Sequence, residues 1–148
     1  MTPNQRDELN RAIAAISAAE RGPTSEELAS APRLDFWQPL LDPGAMPLLF
    51  GEVTDHPKLG TTTMTSSRLI AIDRKAGWAR TISRWYCLDR PFADFEAEAI
   101  ETCQKSGYDI RSASFEFAPF VPIVDDAKLD QLLAAYVALI RRISLEYE

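Results

Sequence analysis

Four prolines, Pro32, Pro39, Pro43 and Pro47 in "PRLDFWQPLLDPGAMPLL", divide this chain more sharply than any other feature. Each fixes φ, removes a backbone donor and turns the preceding residue away from the helical region, so the stretch is expected to form neither a helix nor a central strand. Leu34, Phe36, Trp37, Leu40 and Leu41 are too apolar for a free linker. The expectation is a packed connector, residues 32–47, that lies across the domain and seals its core. It separates a helical N-terminal segment (1–31) from a sheet with an inserted helix (48–117) and a C-terminal helix (124–147), all within a single domain of residues 1–148.

The flanking segments carry clear punctuation. Thr2-Pro3-Asn4-Gln5 reads as a capping box with proline at the first helical position, and Leu9, Ala12, Ile13, Ile16 and Ala19 follow at helical spacing until Gly22-Pro23. Thr24 with Glu27 repeats the capping signature and opens a short helix that must end before Pro32. Extended structure is expected from about Leu48 to Thr54 and through "TTTMTSS". A hairpin should then join Leu69–Asp73 to one long strand, Trp78–Leu88, through "RKAG", with Gly77 in the left-handed conformation. Asp89 with Arg90-Pro91 reads as a helix start, Phe92, Phe95, Ala99 and Cys103 as the apolar stripe of that helix, and Gly107 as its end. "YDIRSASFEF" reads as a further strand. Asp125 caps a last helix whose stripe of Leu129, Leu132, Leu133, Tyr136, Leu139, Ile140 and Ile143 is the most regular in the chain. This order predicts an α+β fold, a two-layer domain with a mainly antiparallel sheet of about four strands and flanking helices.

Composition bounds the function classes. No apolar run approaches the ~20 residues of a membrane span, and the opening residues lack a basic segment followed by an apolar core and a cleavage site. With two cysteines, Cys87 and Cys103, in no staple or Cys-x-x-Cys pattern, this points to the cytoplasm. One histidine and no close Cys/His cluster leave a structural metal without its usual ligands, and the scattered glycines form no phosphate-cradling loop, so no metal or cofactor is expected.

Three positions invite a chemical reading. His56, beside Asp55 in "TDHPKLG", could serve as a general base of a small hydrolase or transferase, but no nucleophile signature accompanies it. Adjacent side chains in extended structure point apart, so a histidine bonded within its own turn is the simpler reading. Ser66 and Ser67 lie in no Gly-x-Ser-x-Gly elbow. Cys87 has Arg84 and Arg90 near in sequence, which would lower its pKa, yet a free cysteine on a strand covered by a helix is commonly buried.

The distinctive feature is charge placement. In a chain of net charge −6, residues 68–90 gather Arg68, Arg74, Lys75, Arg80, Arg84 and Arg90 against only Asp73 and Asp89. Alternation along one continuous strand would align Trp78, Arg80, Arg84 and Tyr86 on a cationic, aromatic face, with the Asp55-His56 turn as its neighbour. Such a face suits a protein partner, and a nucleic acid is the alternative, disfavoured by the overall charge. The competing interpretation makes the aromatics core and clamps Arg80 and Arg84 to the acidic helix at Asp94–Glu101.

The segment from Phe50 to Leu88 is similar to small bacterial proteins catalogued as a domain of unknown function, which carry a Gly-x-Val, His-Pro, Thr-Ser, Ile-Asp and Gly-Trp-Ala-Arg-Thr series. The matching residues are Gly51, Val53, His56, Pro57, Thr65, Ser66, Ile72, Asp73, Gly77, Trp78, Ala79, Arg80 and Thr81, while Asp55 stands where that series has glycine. The resemblance implies a bacterial accessory protein and assigns no catalytic residue; the cationic hairpin adds the expectation of a non-enzymatic module that binds a protein partner, as a regulator or an inhibitor does.

Overall fold

The computed structural model describes residues 1–56, 60–107 and 117–147, with 54–56 and 60–61 described through their backbone alone. Helices α1 (Pro3–Arg21) and α2 (Ser25–Ser30) are followed by strands β1 (Arg33–Leu41), β2 (Pro47–His56), β3 (Gly60–Thr65), β4 (Leu69–Asp73), β5 (Trp78–Thr81) and β6 (Trp85–Leu88). Helix α3 (Phe92–Ser106), the two-residue β7 (Val121–Pro122) and α4 (Asp126–Glu146) complete the order. Both capping boxes form: Thr2 exchanges bonds with Gln5, and Thr24 with Glu27. Asp125 Oδ1 accepts from the amides of Ala127 and Lys128 at the head of α4.

The fold is α+β, but its sheet is larger than expected and mixed. Among the described residues seven strands take part, in the order β3-β2-β1-β6-β5-β4 with β7 on β1. The β1–β6 pair is parallel and joins two antiparallel halves. Nor is the arrangement two-layered. Leu129 and Leu133 of α4 pack with Leu34, Leu49, Val53, Ala79 and Tyr86 on one face. Against the opposite face, α2 meets Trp85 and Cys87, and α3 sets Phe95 against Phe36 of β1. Helix α1 runs beside α4 and buries Leu9, Ala12, Ala15 and Ile16 with Ile70 and Ile140.

The proline-punctuated segment is the main correction. Instead of a connector it supplies a central strand, a turn and the start of β2. Leu49 turns both its amide and its carbonyl to Ser66, away from β1, so its partner Pro39 stands in a non-hydrogen-bonded pair where β2 needs no donor from it. The Pro39 carbonyl accepts instead from Ile123. Pro43 lies in the reversal, where Asp42 Oδ1 holds the amides of Gly44 and Met46.

Strand β1 also carries a bulge. Pairing jumps from Asp35↔Glu52 to Gln38↔Phe50, so Phe36, at φ 51°, and Trp37 both stand opposite Gly51. The released Trp37 amide donates to the Arg90 carbonyl and its indole to that of Asp89, tying β1 to the approach to α3. Asp89 therefore does not cap α3; Pro91 occupies that position without a side-chain cap, and Asp89 binds Arg33. The strand expected in "YDIRSASFEF" lies almost wholly outside the described residues.

Two substitutions test this packing. Leu133, 7% exposed under the sheet, should cost about 2–5 kcal/mol when cut to alanine. A Cβ on Gly51 would come within 2.7 Å of Leu34 Cγ and 3.0 Å of the Asp35 carbonyl, so Gly51→Ala should cost about 1–3 kcal/mol by overpacking. Denaturant unfolding measures both, and a wild-type midpoint in either variant contradicts the placement.

Candidate functional site

The cationic stretch does not make one strand face. Strand β5 stops at Thr81, and a two-residue reversal through Ile82-Ser83 leads to Arg84 and β6. Buried Thr81 holds it: its Oγ1 accepts from the amides of Ser83 and Arg84 and donates to the Arg84 carbonyl. Pairing is Trp78↔Cys87, Ala79↔Tyr86 and Arg80↔Trp85. Each pair sums to an odd number, so the even residues of β5 share a face with the odd residues of β6. Trp78 and Arg80 thus stand with Trp85 and Cys87. Tyr86 turns into the α4 core, 2% exposed, and desolvation there raises its phenol pKa.

The cations of residues 68–90 also disperse. Arg74 lies 3.2 Å from Asp126 and 3.5 Å from Asp130 at the head of α4. Arg90 pairs with Asp35 and lies over the Phe36 ring. Its guanidinium, more than any other cause, lowers the Asp35 pKa. Arg68 stacks on Tyr136. Besides the exposed Lys75, Arg80 and Arg84 remain, without a carboxylate partner among the described residues and not clamped to Asp94–Glu101.

These two arginines line a cleft of about 300 Å³ between α2 and the β5–β6 reversal, together with Glu27, Ser30, Ser83 and Trp85. The Arg80 guanidinium lies 5.2 Å from the Trp85 ring centroid, and Trp78 meets Trp85 edge-on at 5.4 Å. Arg80 is half-buried, and its buried Nε finds no acceptor. Desolvation, the largest influence, pulls its pKa down while Glu27 opposes that shift.

Glu27 is the carboxylate of the cleft, and its oxygens are already engaged. Oε1 accepts from Arg21 Nη1 and from the Thr24 amide, each at 3.0 Å, and Oε2 accepts from Trp85 Nε1 at 3.0 Å. Its capping role was legible as Thr24-x-x-Glu27; its contact with Trp85, 58 residues away, was not. Beside it, Cys87 donates its Sγ–H to the Leu28 carbonyl, and burial pushes the thiol pKa up. Cys87 is therefore covered by a helix as expected, but on the face of Trp78 and Arg80. The backbone register puts His56 opposite Gly60, with β1 between β2 and β6. The side chains of Asp55 and His56 lie outside the described residues.

What the cleft can do follows from this inventory. It presents two guanidinium groups, a tryptophan and serine hydroxyls around a carboxylate whose bonds hold α2 to the sheet. That is recognition chemistry for an anionic group. Among the described residues no group of three or more His, Cys, Asp or Glu is placed to hold a metal, and no helix is long and apolar enough to cross a membrane.

The family described as "Family of unknown function (DUF6634)" matches residues 1–146. No curated protein and no solved structure matches the chain.

The Glu27 contacts predict a pH signature. Hydrogen bonding to Arg21, then to the Thr24 amide, outweighs the small effect of burial and lowers this carboxyl from 4.5 to about 2. Its contribution to stability is complete above its unfolded pKa and is lost as pH falls through that window. The stability gap between the wild type and Glu27→Gln should therefore be constant above about pH 5.5 and close as pH falls from about 4.5 towards 2. Urea titrations across that range measure it; a gap independent of pH would remove Glu27 from this role.

Proposed function

The chain belongs to DUF6634, and we propose that it is a non-enzymatic bacterial accessory or regulatory protein that docks on a protein partner by taking an acidic group into the Arg80–Arg84 cleft. One observation carries this reading: Arg80 is half-buried with an unsatisfied Nε, while the carboxylate beside it is engaged elsewhere. A desolvated guanidinium without an acceptor is costly, and an incoming carboxylate would supply what the fold withholds. Trp85 and Trp78 add the aromatic surface typical of arginine-anchored interfaces.

The cleft replaces the continuous face expected from strand alternation. Arg80, Arg84 and Trp85 line it, Trp78 supports Trp85 from the side, and Tyr86 belongs to the core. In this reading the protein acts by occupying a partner's surface, as a regulator or an inhibitor does, within the cytoplasm.

A peptide array carrying acidic and charge-neutral sequences tests the proposal, read with the wild type and with Arg80→Ala/Arg84→Ala. The wild type should retain acidic peptides, and the double variant should lose about 2 kcal/mol of binding while its melting temperature stays within a few degrees. A variant that melts early yet binds as before would make these arginines structural braces. Preference for oligonucleotides, with affinity falling steeply and log-linearly in salt, would replace the protein partner by a nucleic acid. A turnover that vanishes in His56→Ala and follows one group titrating near neutrality would replace docking by catalysis.

A further inference from the structure

A second cavity, of about 750 Å³, runs between the N-terminal half of α1, the C-terminal half of α4 and the segment that leads into β4. Its apolar lining includes Leu9, Ile82, Ile140 and Ile143. Arg68 sets its polar character: the guanidinium carbon lies 4.1 Å from the Tyr136 ring centroid, and the side chain makes no ion pair with the described residues. Glu8, Arg11 and Glu146 also line the groove, but all three are exposed whereas Arg68 is half-buried. Ser67 Oγ donates to Ser83 Oγ at 3.0 Å, and Arg11 reaches the same oxygen at 3.4 Å, so hydroxyls edge the cationic end.

We infer that this groove binds an amphipathic monocarboxylate, with a linear acyl chain against Leu9, Ile82, Ile140 and Ile143 and the carboxylate on Arg68. A guanidinium stacked on an aromatic ring keeps its in-plane N–H edge free, the edge that meets a carboxylate in two parallel bonds. Solvent weakens the exposed charges at the rim more than the half-buried one, so the field felt by a headgroup is that of Arg68. Apolar lining then favours a chain over a small inorganic anion, because each buried methylene adds to binding. The volume lies within the range of small-molecule sites. The inference is independent of the docking reading: the residues lining this groove and those lining the Arg80–Arg84 cleft do not overlap.

Calorimetric titration of the full chain with dodecanoate, below its micelle concentration, tests it beside dodecanol and dodecyltrimethylammonium. Dodecanoate should bind tightest and the cationic amphiphile weakest. Arg68→Met should weaken dodecanoate about tenfold or more, towards the level of dodecanol, while Arg68→Lys keeps part of the preference. Amide shifts on binding should centre on Arg68, Ile82 and Tyr136, a readout on the wild type that stands even where the methionine variant loses stability. Absence of dodecanoate binding, equal affinity for dodecanol, or shifts centred elsewhere would overturn the assignment.

Discussion

The parallel contact between β1 and β6 holds the two halves of this molecule together. It spans only Arg33↔Cys87 and Leu34↔Leu88, with Cys87 donating to the Pro32 carbonyl and Asp89 to that of Leu34. So short a seam needs reinforcement, and the side chains around it supply it: Arg33 grips Asp89, Arg90 grips Asp35, and the Trp37 indole donates to the Asp89 carbonyl. The bulge opposite Gly51 frees Trp37 for this work. Below the seam, Leu34 and Tyr86 share one core with α4, so the same junction fixes the sheet to its longest helix.

The Arg80–Arg84 cleft stands at the start of that seam. Ala31 and Pro32 line it where the chain enters β1, and Trp85 where β6 begins. Short α2 is pinned across the opening by Glu27, whose partners come from the end of α1, from its own cap and from β6. Because those contacts occupy the carboxylate, the neighbouring guanidinium stays uncompensated. The electrostatics of the site are thus a consequence of how α2 is fastened.

Local signals were legible in the sequence wherever the deciding partner lay within a few residues. The capping boxes at Thr2 and Thr24, Gly77 at φ 79° and the Asp125 cap all depend on neighbours in the chain. Strand β1 was hidden because a proline's effect depends on whether its nitrogen faces a partner that needs a donor, and Leu49 settles that through Ser66. The break after Thr81 was hidden because alternation of large and small residues runs straight through Ile82-Ser83-Arg84, while the hydroxyl that turns the chain looks like one more small residue. Asp89 resembled a helix cap until Arg33, 56 residues earlier, claimed it. Of the candidate site, Arg80 and Arg84 were identified from charge alone; Glu27, Ser30, Ser83 and Trp85 join them only through the fold.

The most direct measurement of the central claim follows the side-chain Nε–Hε resonances of the arginines while acetyl-glutamate is titrated into the protein. The account predicts that Arg80 Hε, which lacks an acceptor in the free protein, moves downfield and saturates, with Arg84 following it, while Arg33 and Arg90, whose Nε–H groups already donate to Asp89 and Asp35, hold their positions. An unmoved Arg80 resonance, or one that shifts no more than those of the paired arginines, would contradict it.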